Sequence, residues 1–132
     1  MKKVLTKLTT INSYHDWLSA TVNALELSSA LPNELLTQLQ QRDYLGSVQI
    51  AEHVIMPHIV NQSLPDSWLI VSQLDRPVRY MTSNSITTGI FILSRPADSS
   101  VTDAVDHLTD ESVIRALQDP QLSQRQLQGL FS

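Results

Sequence analysis

Hydrophobic spacing along the chain passes from a helical period through short β-type runs and back to a helical period. Ser13 is suited to cap a helix, and Trp17, Val22, Leu25 and Leu27 follow helical spacing on to Leu31, which predicts a first helix. Pro32 fits the first turn of a second helix, where its missing N–H costs nothing, and Leu35, Leu36 and Leu39 form one stripe. That helix should fade between Arg42 and Gly46. Val and Ile then crowd Ser47 to Met56, and Pro57 drives Met56 toward an extended backbone, so a strand or extended loop delivers His58. Trp68 to Val71 and Gly89 to Leu93 are continuous apolar runs of strand length, with a shorter candidate from Pro77 to Tyr80. Strands buried on both faces have this composition. Ser99 or Ser100 caps a helix carrying Val101, Ala104, Val105 and Leu108 on one face. Asp110 opens another through Val113, Ile114 and Leu117, and a last helix covers Leu122 to Phe131. Helices at both ends of a strand-rich centre predict an α/β fold, a sheet covered by helices on both faces. No internal repeat, low-complexity segment or linker divides the pattern, so one domain is expected over residues 1–132.

Composition narrows the functions. The chain has 132 residues and 42% hydrophobic content, enough for one buried core. Cysteine is absent, which removes disulfides, zinc thiolates and a thiol nucleophile, and fits a reducing compartment. Three lysines lie within Met1 to Leu8, but no apolar signal core comes after them. No run approaches the roughly 20 apolar residues of a membrane span. A cytoplasmic protein without membrane insertion is expected. The nine Lys and Arg residues are scattered and the net charge is −4, which excludes the clustered basic footprint of nucleic-acid binding.

The stretch most informative about chemistry is Arg42-Asp43-Tyr44-Leu45-Gly46-Ser47 and the apolar approach from there to Pro57-His58. On its own, a histidine after proline at a strand end is more often a surface or hydrogen-bonded residue than a nucleophile. Glu52, His53 and His58 carry metal-ligating atoms, but their spacing matches no metal motif. Gly-x-Ser-x-Gly is absent, and three glycines in all leave no phosphate-binding P-loop, so no cofactor or metal is expected.

In order and spacing, the segment from Arg42 to His58 resembles the pattern R-E-x-x-G-S-T-G-I-G-x-G-I-A-I-P-H of the fructose/mannitol-type enzyme IIA of the bacterial sugar phosphotransferase system. Gly46 to His58 fits it without a gap. Asp75-Arg76-Pro77-Val78 is similar to the family's K-x-P-I strand, and Gly89 to Ala97 to its buried strand ending in A-x-P. Thr109 to Leu117 resembles D-P-E-L-V-E-K-L, so the likeness spans nearly the whole chain. It implies a mixed sheet between helices and a phosphotransferase component working in sugar transport. His58 would accept a phosphoryl group from phospho-HPr and pass it to a cysteine or histidine of a IIB component. Arg42 would stabilise the phosphoryl charge, with Ser47 and His53 near the phosphoryl site.

This chain departs from the pattern at Val48 to His53, where three glycines are lost and the loop must take another shape. The second histidine of many members falls near Ala97 to Ser100, where none stands. His53 is a candidate substitute from the other side of the loop, with an exposed loop residue as the plainer reading. His107 reads as a helix-surface residue, and His15 has no motif around it. Val54, Ile55, Met56, Ile59 and Val60 could form a docking surface around His58 or belong to the core. Two further functions stay open beside the carrier. One is a regulatory module whose phosphorylation reports sugar or nitrogen supply to a partner; the other is a binding domain that has lost transfer.

Overall fold

A computed structural model describes residues 1–28 and 30–132. In chain order the elements are β1 (Lys2–Leu8), α1 (Tyr14–Asn23), α2 (Leu31–Asp43), β2 (Gln49–Ala51), β3 (Val54–Ile55), β4 (His58–Val60), β5 (Trp68–Tyr80), β6 (Ser83–Ser94), α3 (Ser99–His107), α4 (Glu111–Leu117) and α5 (Gln124–Leu130). The strands form one mixed sheet. β5 and β6 make an antiparallel hairpin at its centre, and β1 runs parallel to β5 on one side. β3 and β4 run parallel to β6 on the other side, and β2 folds back antiparallel on β3.

Alternation along the long strands gives the sheet two apolar faces. Ile70, Leu74 and Val78 of β5 join Phe91 and Leu93 of β6 beneath α1 and α2, against Trp17, Leu18, Leu35 and Leu39. Leu69, Val71, Ile90 and Ile92 face the other way, onto Val101 of α3, Val113 and Leu117 of α4, and Leu127 of α5. The expected α/β architecture, a mixed sheet with helices on both faces, is therefore the one observed. Among the described residues no helix is long and apolar enough to cross a membrane.

Several elements differ from the periodicity. Ser13 does cap α1, its Oγ accepting from the Asp16 N–H at 3.1 Å, but the helix ends at Asn23. Glu26 has φ 52°, a left-handed backbone no helix can continue, and Leu31 begins α2 instead of closing α1. Leu25 and Leu27 pack on the core from the connecting segment, so apolar spacing persists where the helix does not. Ser29, inside the expected helix, lies outside the described residues. β1 is masked in the hydrophobic pattern by Lys2, Lys3 and Lys7, residues that suit the edge of a sheet. The runs at Trp68 and Pro77 belong to one strand, joined through an irregularity opposite β6 in which Asp75, Arg76 and Pro77 are exposed.

Trp17 ties α1 to the hairpin. Its ring is fully buried, meets Phe91 edge-on at 5.7 Å, and donates Nε1–H to Ser72 Oγ at 2.8 Å, which satisfies a polar atom that would otherwise be costly to bury. Gly89 makes the room: a Cβ there would lie 2.4 Å from Phe91 Cε2 and 2.8 Å from Trp17 Cζ2. Gly89→Ala should therefore overpack the core and lower stability by about 1–3 kcal/mol, read as a reduced midpoint of urea unfolding.

Candidate functional site

β4 is three residues long, and its placement rests on β6. The Pro57 carbonyl accepts from the Ile92 N–H at 2.9 Å, and His58, Ile59 and Val60 stand opposite Ile92, Leu93 and Ser94. Ile59 is buried in the α1/α2 core, so the period of two turns His58 and Val60 to the other face, toward the start of α3. There both line a cavity of about 370 Å3 with Ser94, Arg95, Asp98 and Thr102.

His58 Nε2 lies 2.9 Å from the hydroxyl of Ser94, a residue only 3% exposed. Ser94 Oγ is also 3.3 Å from the Ile59 carbonyl. With the hydroxyl proton on that carbonyl, Ser94 accepts from Nε2–H and the lone pair resides on Nδ1; with the proton turned to the ring, the roles exchange. Either way one nitrogen is held and the other is free. Loss of solvent around the ring lowers the His58 pKa below the usual histidine value, favouring the neutral imidazole.

The turn from β6 into α3 shapes the rest of the cavity. Ala97 has φ 54°, a left-handed conformation that reverses the chain after Pro96. Asp98 then caps α3, accepting from the N–H of Ser100 at 3.0 Å and from its hydroxyl at 2.6 Å. Chiefly the Ser100 hydroxyl, with help from Ser67, holds the Asp98 carboxyl at about 2, so it is ionised at neutral pH. Among the described residues no second histidine lines this cavity; Ser94, Arg95 and Asp98 stand there instead. The sequence does carry a signal for them, since Ser94-Arg95 puts two polar residues directly after the buried run Gly89 to Leu93.

The other expected site residues are dispersed. Arg42 Nη1 donates to the Gly46 carbonyl at 3.3 Å and lines an adjoining cavity with Leu45 and Ile59, which shares Val60 with the His58 cavity. Ser47 Oγ accepts from the Gln49 N–H at 3.1 Å, in the loop that leads to β2. His53 lies at the β2–β3 turn, its Nδ1 2.9 Å from the Ser85 carbonyl. The His53 carbonyl accepts from Thr87 and Thr88, whereas His58 pairs with Ile92, four residues beyond Thr88 and roughly 13 Å along a strand. His53 therefore does not occupy the missing histidine's place, and the structure brings neither it nor Ser47 to the cavity. Of the five candidate docking residues, Val54, Ile55 and Ile59 are core and Val60 is exposed, with Met56 half-buried; Tyr44 and Leu45, at 89% and 82% exposure, are apolar surface that the spacing does not reveal.

Asp43, beside Arg42, is the anchor of its loop. Its Oδ1 accepts from the hydroxyls of Tyr14 at 3.2 Å and Tyr80 at 3.1 Å, and the Tyr80 hydroxyl accepts from the Val48 N–H at 2.9 Å. Burial raises the Asp43 pKa, against the opposing effects of the two tyrosines and the Arg42 charge. Burial, reinforced by the Asp43 charge, raises Tyr14 far above its usual value, so both partners keep their hydrogen bond. Gly46, at φ 137°, completes the turn in a conformation that favours glycine.

Solved structures share this fold. The nitrogen regulatory protein IIA-Ntr from Neisseria meningitidis matches 98% of the chain, over 92% of its own length, with a TM-score of 0.74 and 13% identity. IIA mannitol from Escherichia coli matches 98% of the chain over 95% of its length, with a TM-score of 0.66 and 16% identity. A chain in the complex of enzyme IIAMTL with phosphorylated enzyme IIBMTL, also from Escherichia coli, matches 97% of the chain over 92% of its length at a TM-score of 0.64 and 17% identity. The fold is that of the phosphotransferase-system IIA domains of the mannitol and nitrogen-regulatory kind. No protein-family model and no curated protein sequence matches the chain.

Two outcomes test the site as described. Because burial opposes protonation, the His58 ring should titrate in NMR with a midpoint below its ordinary 6.5 and stay neutral at pH 7. Tyr80→Phe strips the Val48 N–H and Asp43 of a shared partner and should cost about 1–3 kcal/mol in denaturant unfolding.

Proposed function

We propose that this chain is a cytoplasmic phosphoryl carrier of the bacterial sugar phosphotransferase system, with His58 as the acceptor, HPr as the donor and a IIB component as the receiver. The observation that carries the reading is the His58 ring itself: on a IIA fold, one nitrogen held by buried Ser94, the ring edge open to a cavity, and burial favouring the neutral, nucleophilic form. In the forward step the lone pair on His58 Nδ1, free in the tautomer whose Nε2–H donates to Ser94 Oγ, attacks phosphorus. The P–N bond to the donor histidine breaks, and its electron pair returns to the donor imidazole. In the second step a cysteine or histidine of the IIB component attacks, and the P–N bond to His58 breaks in turn. Between the steps the phosphoryl group brings about −1.5 to −2 charges. Arg42, in the adjoining cavity, meets that charge at the rim as donor or receiver docks. Exposed Val60, Leu45 and Tyr44 supply the apolar part of a transient docking surface.

A regulatory role is the second reading, supported by the IIA-Ntr structure, whose TM-score of 0.74 exceeds the 0.66 and 0.64 of the two mannitol structures. It uses the same phosphorylated His58 and differs in the receiver.

Incubation with phosphoenolpyruvate, enzyme I and HPr should add one acid-labile phosphoryl group, by intact mass, to the native protein and none to His58→Ala. Subsequent loss of that group to a IIB protein supports transport, and its retention favours the regulatory role. Absence of phosphorylation by an active upstream pair overturns the carrier reading in favour of a binding domain that has lost transfer.

A further inference from the structure

We propose that Arg95 is the residue that binds the phosphoryl charge inside the His58 cavity, a role that rests on the carrier reading above. Arg95 lines the same cavity as His58, whereas Arg42 lines the next one. Its backbone is fixed: the Arg95 N–H donates to Ser67 Oγ at 2.8 Å, and the preceding carbonyl, of Ser94, accepts from the Asn61 N–H at 2.9 Å. Among the described residues its side chain makes no hydrogen bond; the bond that Arg95 donates is that of its backbone N–H. Among the described residues Lys2 pairs with Asp66, His53 Nε2 lies 3.9 Å from a Glu52 carboxylate oxygen, and no carboxylate lies within 4.0 Å of the Arg95 guanidinium.

Charge in the cavity calls for such a residue. Asp98 lines the same space, and its carboxylate, bonded to the Ser100 N–H and hydroxyl, is a fixed negative charge. A phosphoryl group on His58 adds further negative charge, and of the residues lining the cavity only Arg95 carries a permanent positive one. The guanidinium fork matches phosphoryl oxygens two at a time, which a compact ammonium cannot do. Ser94 and Arg95 are adjacent, so the last residue of β6 orients the ring and its neighbour reaches the group the ring receives.

The test uses Arg95→Gln, Arg95→Lys and, as a control distant from the cavity, Arg125→Gln in the full chain, with thermal melts to confirm folding. Inorganic phosphate is titrated into the unphosphorylated proteins and monitored by NMR at the His58 ring, and the rate of phosphoryl uptake from phospho-HPr is measured separately. Arg95→Gln should weaken phosphate binding and slow uptake on the order of tenfold or more, Lys should restore part of both, and Arg125→Gln, on the exposed face of α5, should leave phosphate binding within about twofold. Phosphate that perturbs His58 equally in the native and Arg95→Gln proteins, or perturbs neither, overturns the assignment. Phosphate binding lost in Arg95→Gln, in a protein that HPr never phosphorylates, upholds the Arg95 anion site and removes the carrier reading. Uptake that proceeds unchanged in Arg95→Gln, with unchanged phosphate binding, upholds the carrier and removes Arg95.

Discussion

The parallel ladder between β4 and β6 is the constraint on which the site depends. β4 has only three residues, so few backbone hydrogen bonds hold it, and its register is enforced by the buried Ile59 between two outward-facing neighbours. A slip of one residue would put Ile59 over the cavity and force His58 into the core beneath α1 and α2. β6 is itself immobilised from both sides, Phe91 and Leu93 under one helical layer and Ile90 and Ile92 under the other. The position of a single imidazole is thus underwritten by the packing of both cores.

Electrostatics in the cavity derive from the same strand. Ser94 is the last residue of β6, and its burial brings a hydroxyl within 2.9 Å of His58 without exposing that hydroxyl to competing water. The chain then turns sharply through Pro96 and left-handed Ala97, so a cation and an anion, Arg95 and Asp98, arrive at one space although they stand only three positions apart. Left-handed backbone is costly for a residue with a Cβ, and strain of this kind is tolerated where neighbouring structure leaves no alternative.

Much of this architecture is legible in the residues. The Trp68 and Gly89 runs have the length and composition of buried strands, and Pro32, Ser13 and Asp110 mark helix starts that the structure retains. Pro57-His58 points to the site because proline holds the residue before it extended, and an extended approach presents the histidine at a strand. The features that no local pattern encodes are long-range ones. β1 gains its stability by pairing with β5, sixty-odd residues away, as Lys2 opposite Trp68 shows. His53 lies only five positions from His58 in sequence, yet the β2–β3 turn carries it to another level of β6. Arg95 and Asp98 belong to no motif, and only the fold of the β6–α3 turn sets them beside an imidazole from a distant strand.

The tyrosine pair on Asp43 carries a different implication. Tyr14 belongs to α1, Asp43 to α2 and Tyr80 to β5, and the Tyr80 hydroxyl also receives the Val48 N–H. Three elements therefore grip the stem of the loop that displays Tyr44 and Leu45. A loop so braced has little conformational freedom left to surrender on association, which lowers the entropic cost of the docking proposed above. The same bracing denies it the ability to remould around differently shaped surfaces, so a partner docking here as proposed would be selected by the rigid contour of this chain and not by its adaptability.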